Sequence, residues 1–195
     1  LVVISIPEFI LPLTTQRTTY ATLITIKPML LRRMNAKSKY KIKILAIDDH
    51  SDNLISLKAI LEDAFQNAVV FTALNGDDGV KIAYQENPDV VLLDIIMPRM
   101  DGFDVCSVFK ADPALEIIPI VFLTALRDDK QSRIRGLEVG AEAFLSKPID
   151  ESELVAQVRA MLKIKAANIS KKYENEHLAA LVAERTRELE LTHVA

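Results

Sequence analysis

The sequence predicts an α/β fold: a doubly wound parallel sheet built from five β-α units, with a C-terminal helical extension. One observation behind this prediction is that short apolar runs alternate with helical patterns five times between Ile42 and Lys163. The other is the central run from Val90 to Leu93, which has four branched apolar residues in a row before Asp94. Such a run is typical of a strand that helices cover on both faces.

The predicted strands are short runs dominated by apolar residues, and four of the five lead into a polar or charged position. They are Ile42 to Ile47, Val69 to Ala73, Val90 to Asp94, Ile118 to Leu123 and Glu142 to Leu145. The carboxyl ends of parallel strands meet at one edge of the sheet, where open α/β sheets bind their ligands. We therefore expect the polar residues that follow these strands to form a site.

The predicted helices carry apolar residues at spacings of three and four. They run from Ser51 or Asp52 to Phe65, from Asn75 to Asn87, from Phe103 to Ala111, from Asp128 to Val139 and from Asp150 to Lys163. Either Ser51 or Asp52 is expected to cap the first helix. Asp101-Gly102 is a turn and helix-start signal, and Gly140 is expected to end the fourth helix.

Composition favours an ordinary globular domain with extensions. The chain has 195 residues, of which 50% are hydrophobic and 26% charged, and its net charge of −3 gives no indication of nucleic-acid or anionic-membrane binding. The single cysteine, Cys106, excludes an internal disulfide and fits a reducing compartment. Because it lies within a helical apolar pattern, we expect it to be a small core residue rather than a nucleophile.

Residues 1–39 differ from the rest of the chain, and we expect an N-terminal extension that is poorly ordered. They are apolar and rich in Thr, contain three prolines, and turn basic toward their end. No uninterrupted apolar run reaches the ~18 to 20 residues of a membrane helix, and no secretory signal pattern is evident. Met34 marks an alternative natural start for the domain, so the segment could be an over-extended translation; a membrane-associating leader is a further alternative.

Residues 40–164 are predicted to form one domain and residues 165–195 a helical linker or short coiled coil. After Pro148 the sequence contains no Gly or Pro, and strong helix formers dominate. Leu178, Val182 and Leu189 could form part of a heptad seam, which Arg185 and Thr192 interrupt. We expect this helix to pair with a second copy or to lead into another domain.

The candidate site consists of the polar residues at four strand ends: Asp48 and Asp49, Asp94, Thr124, and Lys147. Three carboxylates held together repel one another unless they keep their protons or bind a divalent cation. Oxygen ligands favour Mg²⁺, and a Lys ammonium and a Thr hydroxyl are typical partners of phosphate. Together they indicate aspartyl-phosphate chemistry.

This ordered set resembles the receiver domain of bacterial response regulators, which has a flavodoxin-like fold, over about Lys41 to Lys163. The resemblance rests on Asp48-Asp49, Asp94, Met97-Pro98, Asp101-Gly102, Thr124-Ala125 and Lys147-Pro148. It implies that Asp94 is the phosphoacceptor, that Asp49 is a direct Mg²⁺ ligand, and that Asp48 acts mostly through water. Asp94 and the backbone carbonyl of Ile96 would complete the protein ligands of the metal.

The resemblance also implies roles in phosphoryl binding and switching. Thr124 would hydrogen-bond the phosphoryl group, and Lys147 would pair with it. The Lys147–Pro148 peptide is expected to be cis, which aims the lysine. Phe144 stands at the aromatic switch position of the family, where it would turn inward as Thr124 moves; a plain core aromatic is the alternative.

The function that the resemblance implies is that of a signalling domain without an external substrate. It would take a phosphoryl group from a histidine kinase or phosphotransfer protein onto Asp94 and change conformation. We expect it to be cytoplasmic, without direct nucleic-acid binding or membrane association. A homodimer through the face from the fourth to the fifth helix and through the C-terminal helix is the expected self-association.

Several alternatives remain open from the sequence. A Mg²⁺-dependent aspartyl-phosphate phosphohydrolase typically has a second carboxylate two residues after its nucleophile, where this chain has Ile96. A nucleotide-binding domain would have a Gly-rich loop in place of Asp48-Asp49-His50-Ser51. A pseudo-receiver would lack part of the acidic set. The chain could also be the receiver fragment of a larger hybrid kinase or cyclic-dinucleotide enzyme.

Apolar residues beside the site suggest one kinetic hypothesis. Ile96 and Leu126 stand where family members often carry polar residues, so they could slow the attack of water on the acyl phosphate. The half-life of the acyl phosphate in an Ile96→Asn variant tests this, and an unchanged half-life would refute it.

Overall fold

The computed structural model describes residues 41–125 and 130–192. Its five strands are β1 (Ile42–Ile47), β2 (Ala68–Ala73), β3 (Val90–Asp94), β4 (Ile120–Thr124) and β5 (Ala143–Ser146). Its five helices are α1 (Ser51–Ala64), α2 (Gly76–Glu86), α3 (Gly102–Ala111), α4 (Lys130–Glu138) and α5 (Glu151–Thr192). The predicted alternation of five strands and five helices is confirmed. The predicted N-terminal extension, residues 1–39, and the expected start of the fourth helix at Asp128 lie outside the described residues.

All five strands are parallel, in the order β2-β1-β3-β4-β5. β1 pairs with β3 in the register Ile44 to Val90, and β3 pairs with β4 in the register Val91 to Ile120. The strand order therefore reverses between β1 and β3. Their carboxyl ends form the crevice where a doubly wound sheet accepts ligands.

Side chains of alternating orientation along β3 fill two separate cores. Val91 and Leu93 pack with residues of α2 and α3, whereas Val90 and Leu92 pack with residues of α1 and α5. All four side chains are completely buried. The prediction of a strand covered on both faces is confirmed, because each face of the sheet has its own helix layer.

Several helix ends lie where the sequence signals predicted them. Asn75 accepts a hydrogen bond from the backbone N–H of Asp78 at the start of α2. At the start of α3, Asp101 and Asp104 each accept a hydrogen bond from the other's backbone N–H. α2 ends at Asn87, whose φ of 46° is left-handed.

The expected cap of α1 is wrong. The residue before the helix is His50, it makes no side-chain capping bond, and Ser51 and Asp52 lie inside the first turn. The backbone N–H of His50 instead donates to Oδ1 of Asp48, at 2.9 Å. The side chain that organises this turn therefore belongs to the end of β1.

The fifth helix does not end near Lys163, as the sequence analysis expected: α5 has 42 residues in all, from Glu151 to Thr192, and it includes the predicted C-terminal helical extension, which is confirmed. Polar side chains beyond residue 163 contact the domain: Asn168 donates to the carbonyl of Ile117 at 3.2 Å, and Lys172 donates to the carbonyl of Pro113 at 2.5 Å. These contacts and the absence of Gly and Pro extend the helix without a break. The domain boundary at residue 164 stays a prediction. In the second half of α5 the exposed apolar side chains are Tyr173, Leu178, Leu181, Val182 and Leu189.

Cys106 is a core residue, as predicted. Its side chain is completely buried in the cluster under α3, and its Sγ lies 3.6 Å from the carbonyl of Val139. Burial raises the pKa of the Cys106 thiol to about 11, so the reactive thiolate is disfavoured. In the described part of the chain, no helix is both long and apolar enough to cross a membrane.

Candidate functional site

The fold brings three of the predicted site residues into direct contact. The Lys147 ammonium donates to Oδ2 of Asp48 at 2.8 Å and to Oδ1 of Asp94 at 2.5 Å. Asp48 is completely buried and Asp94 is 6% exposed. Because β1 and β3 are neighbours, their terminal carboxylates lie close together, and the loop after β5 carries the lysine across to them.

The backbone around Lys147 is held at the same edge of the sheet. Its N–H donates to the carbonyl of Thr124 at 2.7 Å, which ties the loop after β5 to the end of β4. The peptide bond between Lys147 and Pro148 is cis. Thr124 is itself 3% exposed and lies opposite Ser146 in the sheet register.

Buried and exposed residues alternate in the loop after Asp94, which holds the loop against the domain. Ile95 and Met97 are buried, whereas Ile96 between them is 61% exposed. The N–H of Gly102 donates to the carbonyl of Ile95 at 2.9 Å and closes the loop against the end of β3. Ile96 thus presents an apolar side chain to solvent two residues after Asp94. Leu126, the other residue of the kinetic hypothesis, lies outside the described residues.

Asn53 is a site residue that the sequence analysis missed. Its Nδ2 lies 3.0 Å from both carboxylate oxygens of Asp48. With Lys147 and the N–H of His50, it gives the buried carboxylate three hydrogen-bond donors, as a buried charge requires. The available signal was its position: it lies in the first turn of α1, five residues after Asp48.

The two charged partners at the centre of the site have perturbed pKa values. Burial raises the pKa of Asp94, Asp48 and Asp49 raise it further, and hydrogen bonding to Lys147 only partly opposes this. For Lys147, burial acts to lower the pKa, but its hydrogen bonds to Asp48 and Asp94 outweigh burial, so the pKa rises. The lysine therefore stays cationic, while negative charge on Asp94 is disfavoured in the absence of a further cation.

The residues at the end of β1 fit a divalent cation. Among the residues that the structure describes, ligand atoms of Asp48, Asp49 and His50 lie within 4.8 Å of one another. Oxygen donors of this kind suit Mg²⁺. Asp94 is not a member of this group of three, and its Oδ1 faces Lys147. His50 was not among the predicted ligands.

Phe144 packs between the sheet and α4. Its ring lies 5.6 Å from that of Phe122, and it is half-buried. A Cβ atom on Gly136 would lie 2.4 Å from Cζ of Phe144, so the ring occupies space that only a glycine of α4 leaves open. Gly136 is a second residue that the sequence analysis did not single out, because no local pattern marks a contact between α4 and β5.

Comparison with known proteins agrees with this fold and with this acidic pair. A family model described as the response regulator receiver domain matches residues 44–159, more than half of the 195 residues. The chain therefore belongs to the response regulator receiver domain family. This family typically comprises signalling modules rather than enzymes, and its members pair with histidine kinases. The acidic pair Asp48 and Asp49 is typical of its metal site.

Individual relatives match only this domain. The response regulator PleD of Caulobacter vibrioides is 44% identical over 123 residues, which are 63% of this chain and 26% of PleD. The protein PilH of Pseudomonas aeruginosa is 38% identical, over 62% of this chain and 97% of PilH. The crystal structure of the chemotaxis protein CheY4 of Vibrio cholerae superposes with a TM-score of 0.59 at 28% identity, covering 63% of this chain and 99% of CheY4. The chain thus spans about a quarter of PleD.

Replacing Lys147 with methionine is expected to destabilise the fold by about 3 to 5 kcal/mol, since it leaves the buried carboxylates of Asp48 and Asp94 without their cation. Replacing Lys43 with methionine is the matched control, because Lys43 pairs with Glu86 at 2.9 Å between side chains that are each about a third exposed. Such a pair contributes about 0 to 1 kcal/mol. Urea unfolding of both variants, with and without Mg²⁺, measures the difference.

Added Mg²⁺ is expected to recover more stability in Lys147→Met than in the wild type, because the lysine no longer competes for the oxygens of Asp48. Equal losses of stability in Lys147→Met and Lys43→Met would contradict this account of the site. So would a Mg²⁺ effect of the same size in Lys147→Met and the wild type.

Proposed function

We propose that this chain accepts a phosphoryl group on Asp94 from the phosphohistidine of a histidine kinase or phosphotransfer protein, and that it signals by a conformational switch. One observation carries the proposal: within a chain of the receiver family, Lys147 contacts the carboxylates of both Asp48 and Asp94 at the switch point of the sheet. A carboxylate, an acidic pair and a lysine are the parts that phosphoryl transfer to aspartate needs.

The chemistry follows from these positions. An oxygen of the Asp94 carboxylate attacks phosphorus, the bond from phosphorus to the imidazole nitrogen breaks, and its electron pair stays on that nitrogen. The ammonium of Lys147 lies beside Asp94 and neutralises charge that develops on the phosphoryl oxygens. Bound Mg²⁺, held by Asp48, Asp49, Asp94 and the carbonyl of Ile96, would supply further neutralising charge. Asn53 and Lys147 keep the Asp48 carboxylate oriented.

Signalling requires that the phosphorylated site favours a second conformation. The added group carries roughly −1.5 to −2 charge units at pH 7. Thr124 would move toward it, and Phe144 would turn into the space vacated. Phe144 lies against α4, so this rotation would reshape the surface from α4 through β5 to α5.

Self-association is the second part of the proposal. Ile134 and Leu137 are exposed on α4, and Leu178, Val182 and Leu189 are exposed on the second half of α5. Both surfaces would be covered in a homodimer through the face from α4 to α5 and the C-terminal helix. Sedimentation velocity before and after phosphorylation measures this association.

Helix α5 is the feature that bears on the output of the whole protein. The described helix α5 continues well past the family match, as a linker to a further domain would. The chain is then either a single-domain regulator with a dimerising helix or part of a larger hybrid kinase or cyclic-dinucleotide enzyme. In either case we propose a cytoplasmic protein that does not bind nucleic acid through this domain.

A phosphoryl group that hydroxylamine removes from one peptide is the direct test of the function. The full chain is incubated with acetyl phosphate and Mg²⁺, treated with hydroxylamine, digested and analysed by mass spectrometry. We expect one phosphoryl group per chain and a hydroxamate on the peptide that contains Asp94, with neither product when EDTA is present. A chain that gains no phosphoryl group, or gains it on another peptide, would overturn the proposal.

A further inference from the structure

His50 lies directly beside the acidic pair, in the turn between β1 and α1. Its Nδ1 is 2.8 Å from Oδ1 of Asp49 and 3.6 Å from Oδ1 of Asp48. The side chain is 70% exposed, so the ring reaches the carboxylates from the solvent side of the site. None of the chemistry described above uses this imidazole.

The spacing of the three side chains suits one metal ion. Adjacent ligands of an octahedral ion that is bound at roughly 2.1 Å are about 3.0 Å apart, and opposite ligands are about 4.2 Å apart. The 2.8 Å distance from the His50 nitrogen to Oδ1 of Asp49 is close to the value for adjacent ligands, and the 3.6 Å distance to Oδ1 of Asp48 lies between the values for adjacent and opposite ligands. An ion that contacts Asp48 and Asp49 would therefore also lie within reach of Nδ1 of His50.

The carboxylate that anchors this group is already fixed in place. Asp48 is completely buried, and Asn53, Lys147 and the N–H of His50 all donate to it. The same backbone contact from His50 to Asp48 places the imidazole next to the acidic pair. The ligand atoms of Asp48, Asp49 and His50 thus come from one short, hydrogen-bonded turn at the end of β1.

We propose that His50 is a third protein ligand of the divalent cation and that it shifts the preference of the site from Mg²⁺ toward Mn²⁺, Co²⁺ or Zn²⁺. An imidazole nitrogen favours Zn²⁺ and Co²⁺ strongly and Mn²⁺ only weakly, whereas Mg²⁺ prefers oxygen donors and water. The neutral ring would bind through Nδ1 and keep its proton on Nε2, which faces solvent. The inference rests on the proposed function, because it assigns a ligand to the same cation site.

A simple hydrogen bond between His50 and Asp49 is the competing explanation. In that case the imidazole occupies an oxygen that the cation needs, and its removal would leave the binding of every divalent cation unchanged or stronger. If His50 is a ligand, its removal weakens the binding of transition metals selectively. The two explanations therefore differ in the sign of the effect on Zn²⁺ binding.

The experiment measures metal binding alone, without any phosphoryl donor. Untagged full-length protein is titrated with Mn²⁺ under electron paramagnetic resonance, and Mg²⁺ and Zn²⁺ are measured by calorimetry. The variants are His50→Gln, Asp49→Asn, and His177→Gln as the matched control, since His177 lies on α5 outside the acidic group. Circular dichroism and urea unfolding confirm that each variant is folded.

We expect His50→Gln to weaken Zn²⁺ binding by about tenfold or more and Mn²⁺ binding by a smaller factor, while it changes Mg²⁺ binding less than about twofold. His177→Gln should bind all three ions like the wild type, and Asp49→Asn should lose all of them. Unchanged or tighter Zn²⁺ binding in His50→Gln would overturn the inference alone. If Asp49→Asn binds divalent cations as the wild type does, or if the wild type binds none, the metal site of the proposed function is refuted instead.

Discussion

Replacing Asp94 with asparagine is expected to abolish phosphorylation and at the same time to stabilise the fold at neutral pH. The first effect follows from the loss of the carboxylate that the proposed reaction uses as its nucleophile. The second follows from electrostatics, because burial together with Asp48 and Asp49 raises the pKa of Asp94 despite its contact with Lys147. In the folded state the negative charge is therefore less favourable than in the unfolded chain.

The sign of the pH dependence follows from that raised pKa. The protonated Asp94 contributes stability at pH values below the ordinary carboxyl pKa, and this contribution disappears as the pH rises through the folded-state pKa. Asn cannot ionise, so Asp94→Asn should gain in urea midpoint relative to the wild type as the pH rises through this range. In metal-free buffer the gain should be present at neutral pH and absent at acidic pH.

Asp112→Asn is the matched control, since the hydrogen bond from Tyr84 and the N–H of Ala114 lower the pKa of Asp112. This variant should lose stability at neutral pH, become equal to the wild type as the pH falls through the lowered pKa, and still accept a phosphoryl group. If Asp94→Asn is phosphorylated as the wild type is, Asp94 is not the phosphoacceptor. If the variant unfolds more easily at neutral pH, the electrostatic account is wrong.

Replacing Gly102 with alanine is expected to destabilise the fold by about 3 kcal/mol or more, at the upper end of overpacking effects. A Cβ atom at this position would lie 2.4 Å from the backbone oxygen of Asp94 and 2.9 Å from Cα of Ile95. Backbone atoms at the end of a central strand cannot yield without moving the strand. The substitution therefore acts on the backbone that carries the phosphoacceptor, and the remaining folded protein should also phosphorylate more slowly.

Gly79→Ala distinguishes this backbone conflict from ordinary crowding in a core. A Cβ atom on Gly79 would lie 2.4 Å from Cδ1 of Ile47, which is the end of a flexible side chain. Rotation of Ile47 and a gain in helix propensity of about 1 kcal/mol should offset part of the conflict. Urea unfolding is expected to show the larger loss for Gly102→Ala, and equal losses would contradict the explanation.

Much of the fold could be predicted because its signals are local. The uninterrupted run from Val90 to Leu93 indicates a strand with two buried faces, and each face has its own core in the structure. Asn75 and Asp101 begin helices because a short polar side chain next to a helical pattern binds the free N–H groups of the first turn. Because strands alternate with helices along the chain, each helix forms the crossover between two strands, and the strands are therefore parallel.

The sequence identified the candidate site residues but not their contacts. Asp48, Asp94 and Lys147 were predicted because each follows a strand, and the ends of parallel strands lie on the same edge. Which of them touch depends on strand order, and β1 becomes the neighbour of β3 only in the assembled sheet. Asn53 was missed because its contact with Asp48 depends on the orientation of α1 relative to the end of β1.

By itself the sequence determined the alternating elements, the two-faced central strand and the polar residues at the strand ends, because these depend on propensity and periodicity along the chain. Tertiary packing decided that Lys147 bridges two buried carboxylates and that Gly102 and Gly136 must lack a side chain. Those features depend on distances between residues far apart in the chain, which are fixed only when the sheet and its two helix layers pack together.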